Sequence, residues 1–281
     1  MVKTDGDFMN FVPDYEIAKK ELKMNIFGTY SKAYTVTNED LRQSMQFMPK
    51  NCENALCVAA SGDHPLFCSL YGAKHVDTFD ISFNAKCMMD IKTEALNCLE
   101  YSEYISFLRD LYNISIPFAD ITNMDKILYK LPKTEYDYIY EFKDEHIFMR
   151  KSISLNNAVL PTQSEYDKLH ENIKTNYNFM LTDVCKIKLI KSYDFIHLSN
   201  VFDYVNSFHY ESVVSELMEH VRPGGRILTQ FFSESNDEVF GLIMKKMVKQ
   251  HNNWVFDKKM VMNSDKFDYL KNGIYVLERT R

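Results

Sequence analysis

The sequence predicts an α/β fold, a parallel sheet of buried strands alternating with helices, and three observations predict it. The segment Ala55 to Ala60 (Ala-Leu-Cys-Val-Ala-Ala) is short, continuously apolar and stopped by Ser61-Gly62-Asp63. A strand buried on both faces of a parallel sheet reads this way. A second strand signal, His75 to Phe79, returns after one short helix, which gives strand, helix, strand. Near the other end, Val221-Arg222-Pro223-Gly224-Gly225-Arg226-Ile227-Leu228 joins a helix end to a strand through a tight Pro-Gly-Gly turn.

The elements follow in order. Asp14 to Lys23 reads as a helix, and a second runs from about Asn38 to Phe47 with Thr37 or Asn38 as its cap. Pro65 suits the first turn of a helix and Gly72 its end. Met88, Ile91, Ala95, Leu99, Ile105 and Leu108 recur at helical spacing, so one long helix or a broken pair spans about Phe83 to Asn113. Helical segments near Met124 to Leu131 and Glu165 to Thr175, separated by the turn-prone Asn156 to Pro161, read as an insertion over about 92–176. Strand signals resume at Asn178 to Thr182, Phe195 to Ser199, Arg226 to Phe232, Trp254 to Val261 and Tyr269 to Glu278. The simplest organisation is a helical extension over 1–50 and one domain over 51–281 that contains the insertion.

Composition narrows the function classes. Eighteen Tyr and twenty Phe against eight Gly describe a well-packed interior, so each glycine is informative. A net charge of -6 disfavours a polyanion-binding surface and makes nucleic acid an unexpected partner. Six cysteines form no Cys-x-x-Cys pair, which fits a reducing compartment. The first residues carry acids where a signal peptide needs a basic and then apolar run, and no apolar stretch has the length of a membrane span. The expectation is a soluble, cytoplasmic protein.

In an open α/β sheet the ligand lies at the carboxyl ends of the strands, so the residues after each strand are the candidates. Ser61-Gly62-Asp63-His64 follows the first strand, and the helix start there offers free amides; an ordinary turn with Asp63 as cap is the competing reading. Asp80, followed by Ile81, ends the second strand eighteen residues after Gly62. An acidic side chain about 20 residues on meets ribose hydroxyls, and the alternative is a cap for the next helix. Asp183 follows the third strand signal, where a polar residue can face an adenine amino group. Ser199, Asn200 and Asp203 follow the apolar run Phe195-Ile196-His197-Leu198, facing a ligand or capping the helix near Ser207.

The Pro-Gly-Gly turn resembles the same feature of class I methyltransferases, and with it the fold is expected to be Rossmann-like, binding a nucleoside cofactor. Ala59 to Asp80, together with His197-Leu198-Ser199-Asn200-Val201-Phe202-Asp203-Tyr204, resembles the BtaA-like family. Those enzymes transfer the 3-amino-3-carboxypropyl group of S-adenosylmethionine to diacylglycerol. The resemblance covers most of residues 30 to 232 and implies S-adenosylmethionine as cofactor. It places Ser61, Gly62 and Asp80 on the cofactor, with Asp63 and Ile81 beside them, Asp183 on the adenine, and Ser199, Asn200 and Asp203 at the reacting end. Where the family has Trp-Glu-Asp, this chain has Asn38-Glu39-Asp40, and Tyr30 and Tyr34 are expected to cover the cofactor instead.

Catalytic candidates are Asp203 and Tyr204, with His197 a base only if it is not a satisfied core histidine. The histidines show no His-Glu-x-x-His and the cysteines no zinc spacing, so catalysis is expected to need no metal. The transferred group is expected to be aminocarboxypropyl, with methyl transfer as the alternative and a non-catalytic S-adenosylmethionine-binding regulator as the reading from another class. A nicotinamide oxidoreductase would want Gly-x-Gly-x-x-Gly at the first turn, where a single glycine stands. The acceptor, small molecule or lipid, and the oligomeric state stay open.

Overall fold

The first strand, β1 (Asn54–Val58), alternates the two halves of the interior along its length. Ala55 and Cys57 pack into one apolar cluster and Leu56 and Val58 into another, which is why this segment carries no polar alternation. The computed structural model describes residues 12–26, 28–113, 115–144, 159–172, 177–259 and 273–280. Six further strands join β1: β2 (His75–Asp80), β3 (Tyr177–Leu181), β4 (Tyr193–His197), β5 (Val221–Thr229), β6 (Trp254–Lys259) and β7 (Ile274–Arg279).

The sheet order is β3-β2-β1-β4-β5-β7-β6. Strands β1 to β5 pair in parallel, and β7 inserts antiparallel between β5 and β6. This is the strand order of the Rossmann-like class I methyltransferase fold that the sequence predicts. The order reverses direction between β1 and β4, so a crevice opens at their carboxyl ends.

Helices cover both faces. On one side lie α1 (Val12–Lys23), α2 (Leu41–Ser44), α3 (Asp63–Leu70), α4 (Phe83–Cys98), α5 (Tyr101–Tyr112), α6 (Met124–Leu128), α7 (Lys133–Phe142) and α8 (Gln163–Asn172). The other side is closed by α9 (Tyr210–Glu219) and α10 (Glu234–Gln250), with Phe202, Tyr210, Phe231 and Phe240 stacked edge and face between them.

Several boundaries differ from the sequence reading, each for a local reason. The helix expected from Asn38 begins at Leu41, capped by Asp40, whose side chain accepts the Gln43 amide. Thr37 is three residues too early to cap it: its hydroxyl takes the Glu39 amide at 3.2 Å, outside the helix, and its own amide donates to Asp63 at 2.8 Å. The long helical pattern after Phe83 is a broken pair: Glu100 and Glu103 form a reciprocal capping box that starts α5. The position expected to open the insertion, residue 92, falls inside α4. Instead of a turn ahead of its strand, Pro223-Gly224-Gly225 lies within β5 as an irregularity. Tyr193 pairs with Val221 but Phe195 with Arg226, so the intervening residues loop outward. Gly224 has φ 81°, and a Cβ on Gly225 would stand 2.9 Å from the Asp194 carbonyl. The expected turn at 156–158, the helix end at 173–175 and the strand residues 260, 261 and 269–272 lie outside the described residues.

Candidate functional site

A cavity of about 580 Å³ opens at the carboxyl ends of β1, β2, β3 and β4, closed from above by residues 28–39. Its volume lies in the range of small-molecule and cofactor sites. Two non-glycine residues in left-handed backbone mark the crevice: Ala60 (φ 48°) just past β1 and Ser199 (φ 54°) just past β4. Such conformations persist only where neighbours over-determine them. Ser199 is pinned through its carbonyl by the Gln230 amide and the Thr229 hydroxyl, both at 2.9 Å, and Ala60 by its amide on Asp80 at 2.9 Å.

Gly62 supplies the sharp turn into α3, with φ 79°. A Cβ there would meet the Met89 Cα at 2.9 Å, so the missing side chain admits helix α4 rather than a ligand. Asp63 lies behind the turn, 3% exposed, and is fully occupied. One oxygen accepts the Thr37 amide and the Ser61 hydroxyl; the other accepts Lys92 Nζ and the Tyr112 hydroxyl. It therefore ties the covering segment, the turn and α4 together, and does not line the cavity.

Asp80 reaches the cavity from the end of β2. Its two oxygens accept the Ala60 and Ser82 amides, each at 2.9 Å, which fixes the carboxylate and leaves further lone pairs toward the opening. Burial pushes its pKa up to about 6, against the amides of Ser82, Ala60 and Ile81 that hold it down. Asp183 also lines the cavity; one of its oxygens accepts the Cys185 amide at 2.8 Å.

At the floor three residues converge that share no local motif. Glu39 comes from the covering segment, His64 from the first turn of α3 and His197 from the end of β4, and each is at most 2% exposed. His64 Nε2 lies 3.2 Å from Glu39 Oε2, Ser199 Oγ donates to the other Glu39 oxygen, and the two imidazole centroids are 5.1 Å apart. Burial, helped by His64, lowers the His197 pKa to about 3 and leaves this ring neutral at ordinary pH. Burial pulls the Glu39 carboxyl up, but His64, with the Ser199 hydroxyl, outweighs it and holds it below the ordinary carboxylate value.

Of the sequence candidates, Ser61, Asp80, Ile81, Asp183, Ser199, Asn200 and Tyr204 share the cavity wall. Tyr30 packs against the core while Tyr34 and Thr29 line the opening. Asp203 points away into α10's start, accepting the amides of Phe232 (2.7 Å) and Ser233 (3.3 Å) and the Asn236 side chain (3.3 Å). Tyr204 is 67% exposed at the mouth, under Lys32 at 4.3 Å from its ring centroid. The sequence reading named His64 only as the end of the Ser61-Gly62-Asp63-His64 turn and Glu39 only beside the family's Trp-Glu-Asp, and gave neither a role. The acids at 39 and 40 lie 25 and 158 residues from the two histidines, as counted from Glu39, and such separations make no pattern a linear reading can find.

No family model matches this chain, and no curated protein matches it in sequence. Solved structures do. The N-methyltransferase NodS from Bradyrhizobium japonicum in complex with S-adenosyl-L-homocysteine aligns over 95% of this chain and 98% of its own, at 9% identity and TM-score 0.43. An rRNA methylase from Streptococcus thermophilus aligns over 88% and 99%, at 9% identity and TM-score 0.42. A ribosomal protein L11 methylase from Lactobacillus delbrueckii subsp. bulgaricus aligns over 86% and 78%, at 8% identity and TM-score 0.42. Likeness at this level concerns the fold alone. Among the described residues no helix is long and apolar enough to cross a membrane.

Proposed function

We propose that this chain is an S-adenosylmethionine-dependent transferase, with methyl transfer as the reading the architecture favours. The observation that carries it is the cavity at the β1/β4 switch point of a sheet whose seventh strand is reversed, with the Asp80 carboxylate fixed at the end of β2. The residues fit such a cofactor. Asp80 keeps lone pairs toward the opening for the two hydroxyls of a ribose, and Asp183 and the Thr182 to Val184 turn stand where an adenine edge needs an acceptor. Asn200 and Ser199 present polar groups at the other end, where the methionine part belongs.

The cofactor supplies a sulfonium whose attached carbons are electrophilic. The chain's part is to hold an acceptor in line with one of them and to keep water out. Tyr34, Tyr204 and Lys32 ring the mouth through which an acceptor enters. Their aromatic faces beside a cation suit an acceptor with both apolar and polar parts. Because Asp203 is committed to backbone amides, the general base of the proposed reaction belongs to another group of the cavity.

Aminocarboxypropyl transfer is the second reading, supported by the resemblance of Ala59 to Asp80 and His197 to Tyr204 to the BtaA-like family. The nucleoside product separates the two. Incubation of the purified protein with S-adenosylmethionine and fractionated cell extract is expected to accumulate S-adenosylhomocysteine; methylthioadenosine as the product would replace methyl transfer by aminocarboxypropyl transfer. Saturable cofactor binding without either product would favour a binding protein.

A further inference from the structure

We propose that Glu39, His64 and His197 form a binding site for one divalent first-row transition ion at the floor of the cavity. The donor atoms of the three lie within 4.8 Å of one another, all from buried residues. Two imidazoles and one carboxylate are the donor set of open zinc and non-haem iron sites, in which the protein supplies three ligands and leaves positions for other molecules. This site does not depend on the S-adenosylmethionine reading.

The 3.2 Å between His64 Nε2 and Glu39 Oε2 is also the spacing of two neighbouring corners of a coordination shell. Bonds of about 2.0–2.2 Å place adjacent ligands roughly 3.0–3.5 Å apart in tetrahedral or octahedral geometry. Closing donor spacings of up to 4.8 Å to that range takes side-chain movement of roughly 1–2 Å.

Loading the ion displaces two contacts, the hydrogen bond between His64 Nε2 and Glu39 Oε2 and one on His197. The Ser199 amide donates to His197 Nδ1 at 3.2 Å, which puts that ring's proton on Nε2. A metal takes the ring at Nδ1 in place of the amide, or at Nε2 after the proton moves to Nδ1. On His197 both surrender a single long hydrogen bond. The unfilled coordination positions face the cavity, because Glu39, His64 and Ser199 all line it. An oxygen or nitrogen of a bound small molecule would complete the shell there.

The test uses the full-length protein stripped by chelator and titrated with Zn²⁺ by calorimetry, and with Co²⁺ by visible absorption. One equivalent is expected to bind, with Co²⁺ giving d–d bands of a four- or five-coordinate N/O site. Glu39→Gln, His64→Asn and His197→Asn are each expected to weaken binding by about ten- to hundredfold or more. Exposed Cys185 is the control, and Cys185→Ser is expected to leave affinity unchanged. Zinc X-ray absorption on the wild-type protein avoids dependence on variant folding: two imidazoles and no sulfur are expected in the first shell. Absence of stoichiometric binding, a sulfur-containing shell, or affinity unmoved by substitutions in folded variants would overturn the assignment.

Discussion

Asp63 and Lys92 form an ion pair sealed from solvent, at 3% and 0% exposure, between the first turn of α3 and the middle of α4. Burial draws the Lys92 pKa down while Asp63 draws it up, and the net direction is down. Taking two charges out of water is costly, and the pair recovers that only because Thr37, Ser61 and Tyr112 also donate to the same carboxylate. Removing one partner strands the other. Lys92→Met is expected to destabilise the protein by about 3–5 kcal/mol in urea unfolding. The double variant Asp63→Asn with Lys92→Met should lose less than Lys92→Met alone, since no buried charge is left behind and an amide oxygen still accepts from Thr37 and Ser61. A Lys92→Met variant as stable as wild type would show that the pair does not anchor the turn.

Asp80 links pH to ligand binding. Its folded-state pKa of about 6 lies above the ordinary 3.8, so the folded protein holds this proton more tightly than the unfolded chain. Between those values this group's contribution to stability grows as pH falls, and it is lost as pH rises through about 6. Cofactor binding has the opposite sign, because a ribose diol donates to the ionised carboxylate. Affinity for S-adenosylmethionine is expected to fall below about pH 6 in the wild type. Asp80→Asn should bind at least about tenfold more weakly at pH 7.5 and lose that pH dependence, a charged hydrogen bond contributing roughly 1.5–3 kcal/mol. Calorimetry from pH 5 to 8 checks both.

Asp203 and Tyr204 are adjacent in sequence and unlike in structure. Asp203→Ala strips the acceptor from the Phe232 and Ser233 amides and is expected to cost about 1–3 kcal/mol. Tyr204→Phe, at an exposed position, should leave the thermal midpoint within about a degree. A stable Asp203→Ala protein that binds cofactor normally yet lacks turnover would restore Asp203 to the chemistry.

Gly62→Ala is expected to be destabilising whether or not cofactor is present. The left-handed backbone and the Met89 Cα at 2.9 Å both oppose a Cβ, and strain at such a position is of the order of 1–3 kcal/mol. Differential scanning calorimetry of the protein without ligand measures this. An unchanged midpoint would mean that α4 yields to the added methyl.

The fold was legible wherever a local pattern reports a global position. The unbroken apolar run at Ala55 marks a strand between two faces, and Gly62 marks a turn in left-handed backbone, whereas Gly224, read as a turn, sits in an irregularity within β5. The carboxylate at the end of β2 was legible too, because strand end and spacing together specify its place. The start of α2 was misplaced because neighbouring polar residues offer several caps: Thr37 bonds the Glu39 amide, while Asp40 takes the Gln43 amide and sets the first turn. The reading of Asp203 as catalytic came from its place after β4, and sequence does not say which way a side chain turns after a strand. The cluster of Glu39, His64 and His197 was illegible because its members lie on a covering segment, a helix start and a strand end, brought together only by the crossing at the switch point.

The most direct measurement of the central claim is calorimetric titration of the purified protein with S-adenosylmethionine and S-adenosylhomocysteine, with NAD as the comparison, at pH 7.5. The account predicts one site per chain for the two sulfur nucleosides, weakened by Asp80→Asn, and no heat from NAD. No binding of either sulfur nucleoside at millimolar concentration, or binding indifferent to the Asp80 carboxylate, would contradict it.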